Sequence, residues 1–177
     1  MAPSTRHQNI RWGLAIVSFI VLVTILAFTL LNWATTSISD GVDLKPFNEA
    51  LKESVQIRLG ISSNLFQLAV LITGALWGVV IAKEDESGIV FADRQEIVMF
   101  ASASILLLMS IFSYIIYSYR VAYIYEITGV TSQPGQPLMI GDFFNPIIGD
   151  FFSYQITNLA SGILIAIITL ISAYKLK

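Results

Sequence analysis

WGLAIVSFIVLVTILAFTLLNWATTSIS, residues 12–39, runs without a single acidic or basic side chain. Three more stretches share that property, 59–82, 97–119 and 151–174, and all ten Lys and Arg and all twelve Asp and Glu residues fall outside the four. A helix needs about 20 apolar residues to cross a hydrocarbon core of roughly 30 Å, and each run meets that length. The pattern predicts an all-α fold: a polytopic membrane protein built as a four-helix transmembrane bundle. It forms a single domain over 1–177, with spans at about 12–34, 60–82, 97–119 and 153–174.

The first run follows Arg6 and Arg11, as the apolar core of a signal peptide would. Such a core is roughly 7–15 residues long, about half of what stands here, so the segment is expected to be retained as a span. Trp12 and Trp33 bracket it. At about 1.5 Å per residue they stand roughly 31 Å apart, which lets both indoles reach the interfacial belts.

Composition agrees with the class. Hydrophobic residues make up 55% of the 177, mean hydropathy is +0.74 and net charge is −2. The basic residues are scattered, so no phosphate-tracking patch forms and nucleic acid is not expected as a partner. The chain lacks cysteine, which excludes disulfides and thiolate metal sites. Its one histidine, His7, precedes the first span, so Ser-His dyads, bis-histidine haem and histidine metal centres lack their parts. No G-x-S-x-G, P-loop or dinucleotide fingerprint occurs. Asp93 and Glu96 share a helix face, as two carboxylates in a metal-dependent lipid enzyme do, but two acids beside a loop are not a site. The expectation is a protein that is not an enzyme and holds no cofactor or metal.

Orientation follows from basic residues in the flanks. With the N-terminus inside, Arg6, Arg11, Lys83, Arg94, Lys175 and Lys177 lie inside, against Lys45, Lys52, Arg58 and Arg120 outside. That excess favours N-in and C-in.

The connections differ in character. Residues 43–59 place Phe47, Leu51, Val55 and Leu59 four apart among polar neighbours, an amphipathic helix with Asp43 as N-cap and Pro46 in its first turn. It either lies on the membrane as a surface helix or extends the second span. The link 83–96 is short and acidic, which makes spans two and three antiparallel neighbours. Before the last span, Gly141-Asp142-Phe143-Phe144 is followed eight residues later by Gly149-Asp150-Phe151-Phe152, with Asn145-Pro146 between them. A loop this apolar is expected to dip into the interface or re-enter the bundle. Asp142, Phe143, Phe144, Asp150, Phe151 and Phe152 are then candidates for a pore mouth or a partner-contacting loop, against the plainer reading of Phe anchors and Asp turn caps.

Each span also carries one small or polar stripe. Span two offers Asn64, Gln67, Leu71, Gly74 and Gly78; span three Ala103, Leu106, Ser110, Ser113 and Tyr117; span four Asn158, Gly162, Ile165, Thr169 and Ser172. Span one carries Ser18, Leu22, Ile25, Thr29 and Asn32. Lipid gives apolar side chains no reason to face inward, so membrane helices pack through small residues and interhelical hydrogen bonds. Asn64, Gln67, Gly74, Gly78, Ser110, Ser113, Asn158 and Gly162 are the expected helix-packing or oligomer contacts. Four helices enclose too little space for a channel, so a pore would form on the axis of an oligomer.

In length, span number and the short charged link Lys83-Glu84-Asp85-Glu86, the layout resembles the small four-span inner-membrane proteins of bacterial phage-defence modules, of the Kiwa membrane subunit or Rex exclusion pore type. The resemblance implies an oligomeric membrane sensor or scaffold, or a small ion-permeable pore, in a bacterial inner membrane. It implies as partners the lipid bilayer, further copies of the chain and another membrane or cytoplasmic protein. The runner-up is an accessory subunit of a larger membrane complex.

Overall fold

Four long helices form where charge is excluded. The computed structural model describes residues 5–35, 44–46, 49–81, 94–131, 139–141 and 146–174, with side-chain surroundings for 9–29, 53–79, 94–123 and 150–173. The helices are α1 (Thr5–Thr35), α2 (Glu49–Ile81), α3 (Arg94–Thr131) and α4 (Pro146–Tyr174), and two short strands, β1 (Leu44–Pro46) and β2 (Met139–Gly141), stand in the connections. Each helix contains a segment long and apolar enough to cross a membrane: Asn9–Thr29, Glu53–Val79, Arg94–Tyr123 and Asp150–Ala173. In such a setting every backbone polar group must be bonded within its own segment, which only an unbroken helix achieves singly.

Ring contacts fix the up-and-down order. Trp77, late in α2, meets Phe100, early in α3, with ring centroids 5.2 Å apart; Phe28, late in α1, meets Tyr154, early in α4, at 6.0 Å. With Arg11 of α1 beside Glu96 of α3, the ends where α1 and α3 begin lie with the ends where α2 and α4 finish. α3 is the central element, packing on all three others and most extensively on α4.

Two apolar clusters fill the interior. The larger holds Ala15, Leu22, Ala69, Leu76, Met99, Phe100, Ala103, Leu106, Leu107, Leu159, Ile165 and Ala166. The smaller, towards the β-strand end, joins Val55, Tyr117, Val121 and Phe151. Gly162 lets α3 and α4 approach closely: a Cβ there would lie 3.0 Å from Leu107 Cγ and 3.2 Å from the Leu107 backbone nitrogen.

Two expectations are corrected and a third is narrowed. The amphipathic segment is not a separate surface helix, because the helix that starts at Glu49 runs unbroken to Ile81 and Val55 and Leu59 pack against α3 and α4. Gly60 costs a helix interior only about 1 kcal/mol, too little to part the segment from its span. Helix α2 does not start at Asp43 either: Pro46 belongs to β1, which pairs antiparallel with β2 in the register Leu44↔Gly141, Lys45↔Ile140, Pro46↔Met139. Proline is tolerated in this two-stranded ladder because every strand in it is an edge. On α2, finally, the buried seam is not the small and polar stripe. Val55, Ser62, Ala69 and Leu76, spaced by sevens, are buried, while Asn64, Gln67, Leu71, Gly74 and Gly78 lie on the opposite face. At about 100° per residue the two sets are separated by roughly half a turn.

The start of α4 matches its chemistry. Pro146 takes the first helical position, where its missing N–H costs nothing and its fixed φ suits the helix. Asp142, Phe143 and Phe144 lie outside the described residues. Asp150, Phe151 and Phe152 belong to α4.

Candidate functional site

Between the two apolar clusters lies a polar layer. Gln155 of α4 and Ser62 of α2 bond reciprocally: the Ser62 hydroxyl donates to Gln155 Oε1, and Gln155 Nε2 donates to the Ser62 carbonyl at 2.8 Å. Ser110 of α3 adds a third helix by donating to the Gln155 carbonyl at 3.0 Å. All three residues are fully buried. A buried amide with both ends bonded specifies register between helices, since any axial slip would orphan it.

Several other hydroxyls close on their own helices. Ser113 donates to Met109 O at 2.8 Å, Thr169 to Ile165 O at 2.7 Å and Thr29 to Ile25 O at 2.8 Å. Each satisfies a hydroxyl in apolar surroundings without joining two helices.

Among the described residues Ser104 Oγ, Ser118 Oγ and Gln95 Oε1 are buried without a hydrogen-bond partner, and Asn158 leaves both ends of its amide so. It lies one turn below Gln155 on the same face of α4 and is fully buried, yet neither its Oδ1 nor its Nδ2 has a hydrogen-bond partner. It lines a cavity of about 320 Å³ between α1 and α4, whose other lining residues are Thr24, Ile25, Phe28, Thr29, Asp150, Ser153, Tyr154 and Thr157.

At the opposite end of the bundle a buried ion pair ties three helices. Arg11 Nη2 of α1 stands 3.7 Å from Glu96 Oε1 of α3 and donates to the Ser172 carbonyl of α4 at 3.5 Å. The helix ends favour this arrangement. Glu96 sits in the first turn of α3, where the dipole is positive, and Arg11 meets a carbonyl of the last turn of α4, where it is negative.

The residues singled out by sequence thus divide. Ser110, Ser113, Asn158 and Gly162 lie buried in the α3–α4 seam, and Phe151 is buried in the smaller cluster with Phe152 packed against it. Asp150 lines the α1–α4 cavity. Asn64, Gln67, Gly74 and Gly78 face outward, and a Cβ added at either glycine would meet nothing within 4 Å. Sequence reasoning missed Gln155, Ser62 and the Arg11–Glu96 pair. Gln155 was within reach, because the stripe Asn158, Gly162, Ile165, Thr169 continues upward in steps of three and four to Gln155 and Phe151. Among the described residues no three His, Cys, Asp or Glu side chains come together as a metal site.

Fold and site define an all-helical chain whose four helices can each cross a membrane. Comparison with protein-family profiles, with curated proteins and with solved structures returns no match.

Proposed function

We propose that this chain is a non-enzymatic integral membrane protein that self-associates through the outward face of α2 and serves as a membrane sensor or scaffold for a partner. The observation that carries this reading is the position of two amides. Asn64 and Gln67 are exposed on α2 and flank the midpoint of the candidate span Glu53–Val79, the depth at which hydrocarbon offers no hydrogen bonds. Below them Gly74 and Gly78 leave open space for a close-packed neighbour. α2 is also the least buried of the four spans. Polar amides and small residues on one face are what membrane helices use to associate, at about 0.6 kcal/mol per interhelical hydrogen bond on average.

A second reading rests on the same amides. In a ring of copies with α2 at the axis, Asn64 and Gln67 form two uncharged hydrogen-bonding constrictions, and the assembly is a small ion-permeable pore. Either form is compatible with the proposed resemblance to phage-defence membrane proteins, which would put the chain in a bacterial inner membrane with N-in and C-in orientation. The proposal that the chain is instead an accessory subunit of a larger complex uses the same face against a different polypeptide.

Native mass spectrometry of the gently solubilised protein, with disulfide trapping of Gln67→Cys in this cysteine-free chain, tests the reading. A homo-oligomer that cross-links at position 67 and dissociates in the Asn64→Leu/Gln67→Leu variant supports it, and bilayer recordings then separate pore from scaffold. A monomer with no cross-link refutes self-association. One copy within a hetero-complex moves the assignment to the accessory subunit.

A further inference from the structure

The α1–α4 cavity is unlike the rest of the interior. The polar layer beside it closes its own hydrogen bonds, and the other buried side chains with an unpartnered atom, Gln95, Ser104 and Ser118 among them, do not line this space. Asn158 alone puts both a donor and an acceptor, fully buried and unpartnered, at the wall of a space of about 320 Å³. Buried polar groups are almost always satisfied, so one that is not calls for a partner from outside the chain.

The lining states the chemistry of that partner. Asp150 is the one charged residue among those that line the space. No Lys or Arg is among the residues that line it. The Phe28 and Tyr154 rings, 6.0 Å apart and nearly perpendicular, stand in the same wall. Aromatic faces beside a carboxylate attract organic cations, ammonium groups above all. A metal ion fits poorly: there is a single carboxylate, and the volume far exceeds the roughly 10–15 Å³ that one water requires.

Depth adds a second requirement. Asp150 stands at the end of the candidate span Asp150–Ala173, and Asn158 lies eight residues further in, about 12 Å along the helix. One ligand can satisfy both if it has an ammonium at one end and a hydrogen-bonding group further along, with apolar parts against Ile25 and Phe28.

We propose that the α1–α4 cavity binds an amphiphilic amine, its ammonium at Asp150 and the Phe28 and Tyr154 rings and a hydroxyl or carbonyl of the same molecule at Asn158. Two sources share that chemistry, the ethanolamine headgroup of a phospholipid with its deeper ester carbonyls and a free amphiphilic amine. Thr24 and Thr157 provide further hydroxyls along the path.

Delipidated protein in detergent is titrated separately with dioleoylphosphatidylethanolamine, dioleoylphosphatidylglycerol and sphingosine, and bound adducts are counted by native mass spectrometry. One amine-bearing probe at least is expected to bind about tenfold more tightly than the phosphatidylglycerol, and Asp150→Asn to remove that preference. Asp150→Asn is nearly isosteric at the end of the helix, so its unfolding midpoint serves as the folding control; Asn158→Leu should weaken the same adduct. Retention of phosphatidylethanolamine alone identifies a lipid headgroup site, and retention of sphingosine alone a free-amine site. Equal retention of phosphatidylglycerol, no adduct with either amine, or an unchanged preference in a folded Asp150→Asn protein overturns the proposal.

Discussion

Replacing Glu96 by glutamine removes the negative partner of Arg11 while keeping the side chain's size. The Glu96 side chain is 1% exposed and that of Arg11 11%, so water does little to replace what is lost. At the observed 3.7 Å, and with an effective dielectric constant of about 20, the attraction amounts to about 4.5 kcal/mol. Breaking a buried pair from one side typically costs about 3–5 kcal/mol. Arg11 keeps its bond to the Ser172 carbonyl, which places the expected loss near the lower figure, about 3 kcal/mol. Arg11→Met should cost a similar amount by stranding Glu96. The Arg11→Met/Glu96→Met protein should return to within about 1 kcal/mol of the parent, because the desolvation of both charges disappears with their attraction. The assay is SDS-induced unfolding in mixed micelles, followed by circular dichroism, with parent, Arg11→Met, Glu96→Met and the double variant as the double-mutant cycle and Glu96→Gln as the size-matched single. Single variants that each lose less than about 1 kcal/mol, or losses that simply add in the double variant, would refute the buried-pair reasoning.

Other outcomes follow from the same contacts. Gly162→Ala pushes a Cβ to 3.0 Å from the Leu107 side chain and 3.2 Å from its backbone, and should lower stability by about 1–3 kcal/mol in the same unfolding assay; Gly74→Ala, with open space, should stay within about 1 kcal/mol of the parent. Gln155→Leu leaves the buried Ser62 hydroxyl and carbonyl without their partner and should cost about 1–3 kcal/mol, whereas the same change at exposed Gln67 should leave the folded monomer intact. Lys45→Cys with Ile140→Cys should form a disulfide on mild oxidation, seen as a mobility shift on non-reducing gels, since facing residues of an antiparallel pair have Cα atoms about 4.5–5.5 Å apart. Failure to cross-link would count against the ladder's register.

The four helices were readable because charge exclusion is a blunt physical signal. On α3 and α4 the small and polar residues Ser110, Ser113, Asn158 and Gly162 are buried, so there the stripe and the inward face lie on one side. On α2 the stripe lies away from the other helices, because a peripheral helix has two faces to serve and the stripe says only that something packs there. Its inward face is marked by Val55, Ser62, Ala69 and Leu76, which no polarity contrast separates from lipid-facing neighbours. The Arg11–Glu96 pair carries no spacing signal, because its members lie on two helices far apart in the chain. The β-ladder was hidden by brevity, since three residues including Pro46 carry no alternation to read. The cavity is set by how α1 leans on α4, and no spacing within either helix encodes that.

The β1–β2 ladder bears on the order in which the chain matures. Leu44 pairs with Gly141, so a ribosome that has released β1 must still make α2 and α3 before β2 exists. At about 5–20 residues per second that interval is roughly 5–20 s. Through it the first strand waits as an open edge, the kind of surface that captures stray chains. Closure of the ladder therefore waits until three of the four helices have been made, and only then does it tie the first connection to the third.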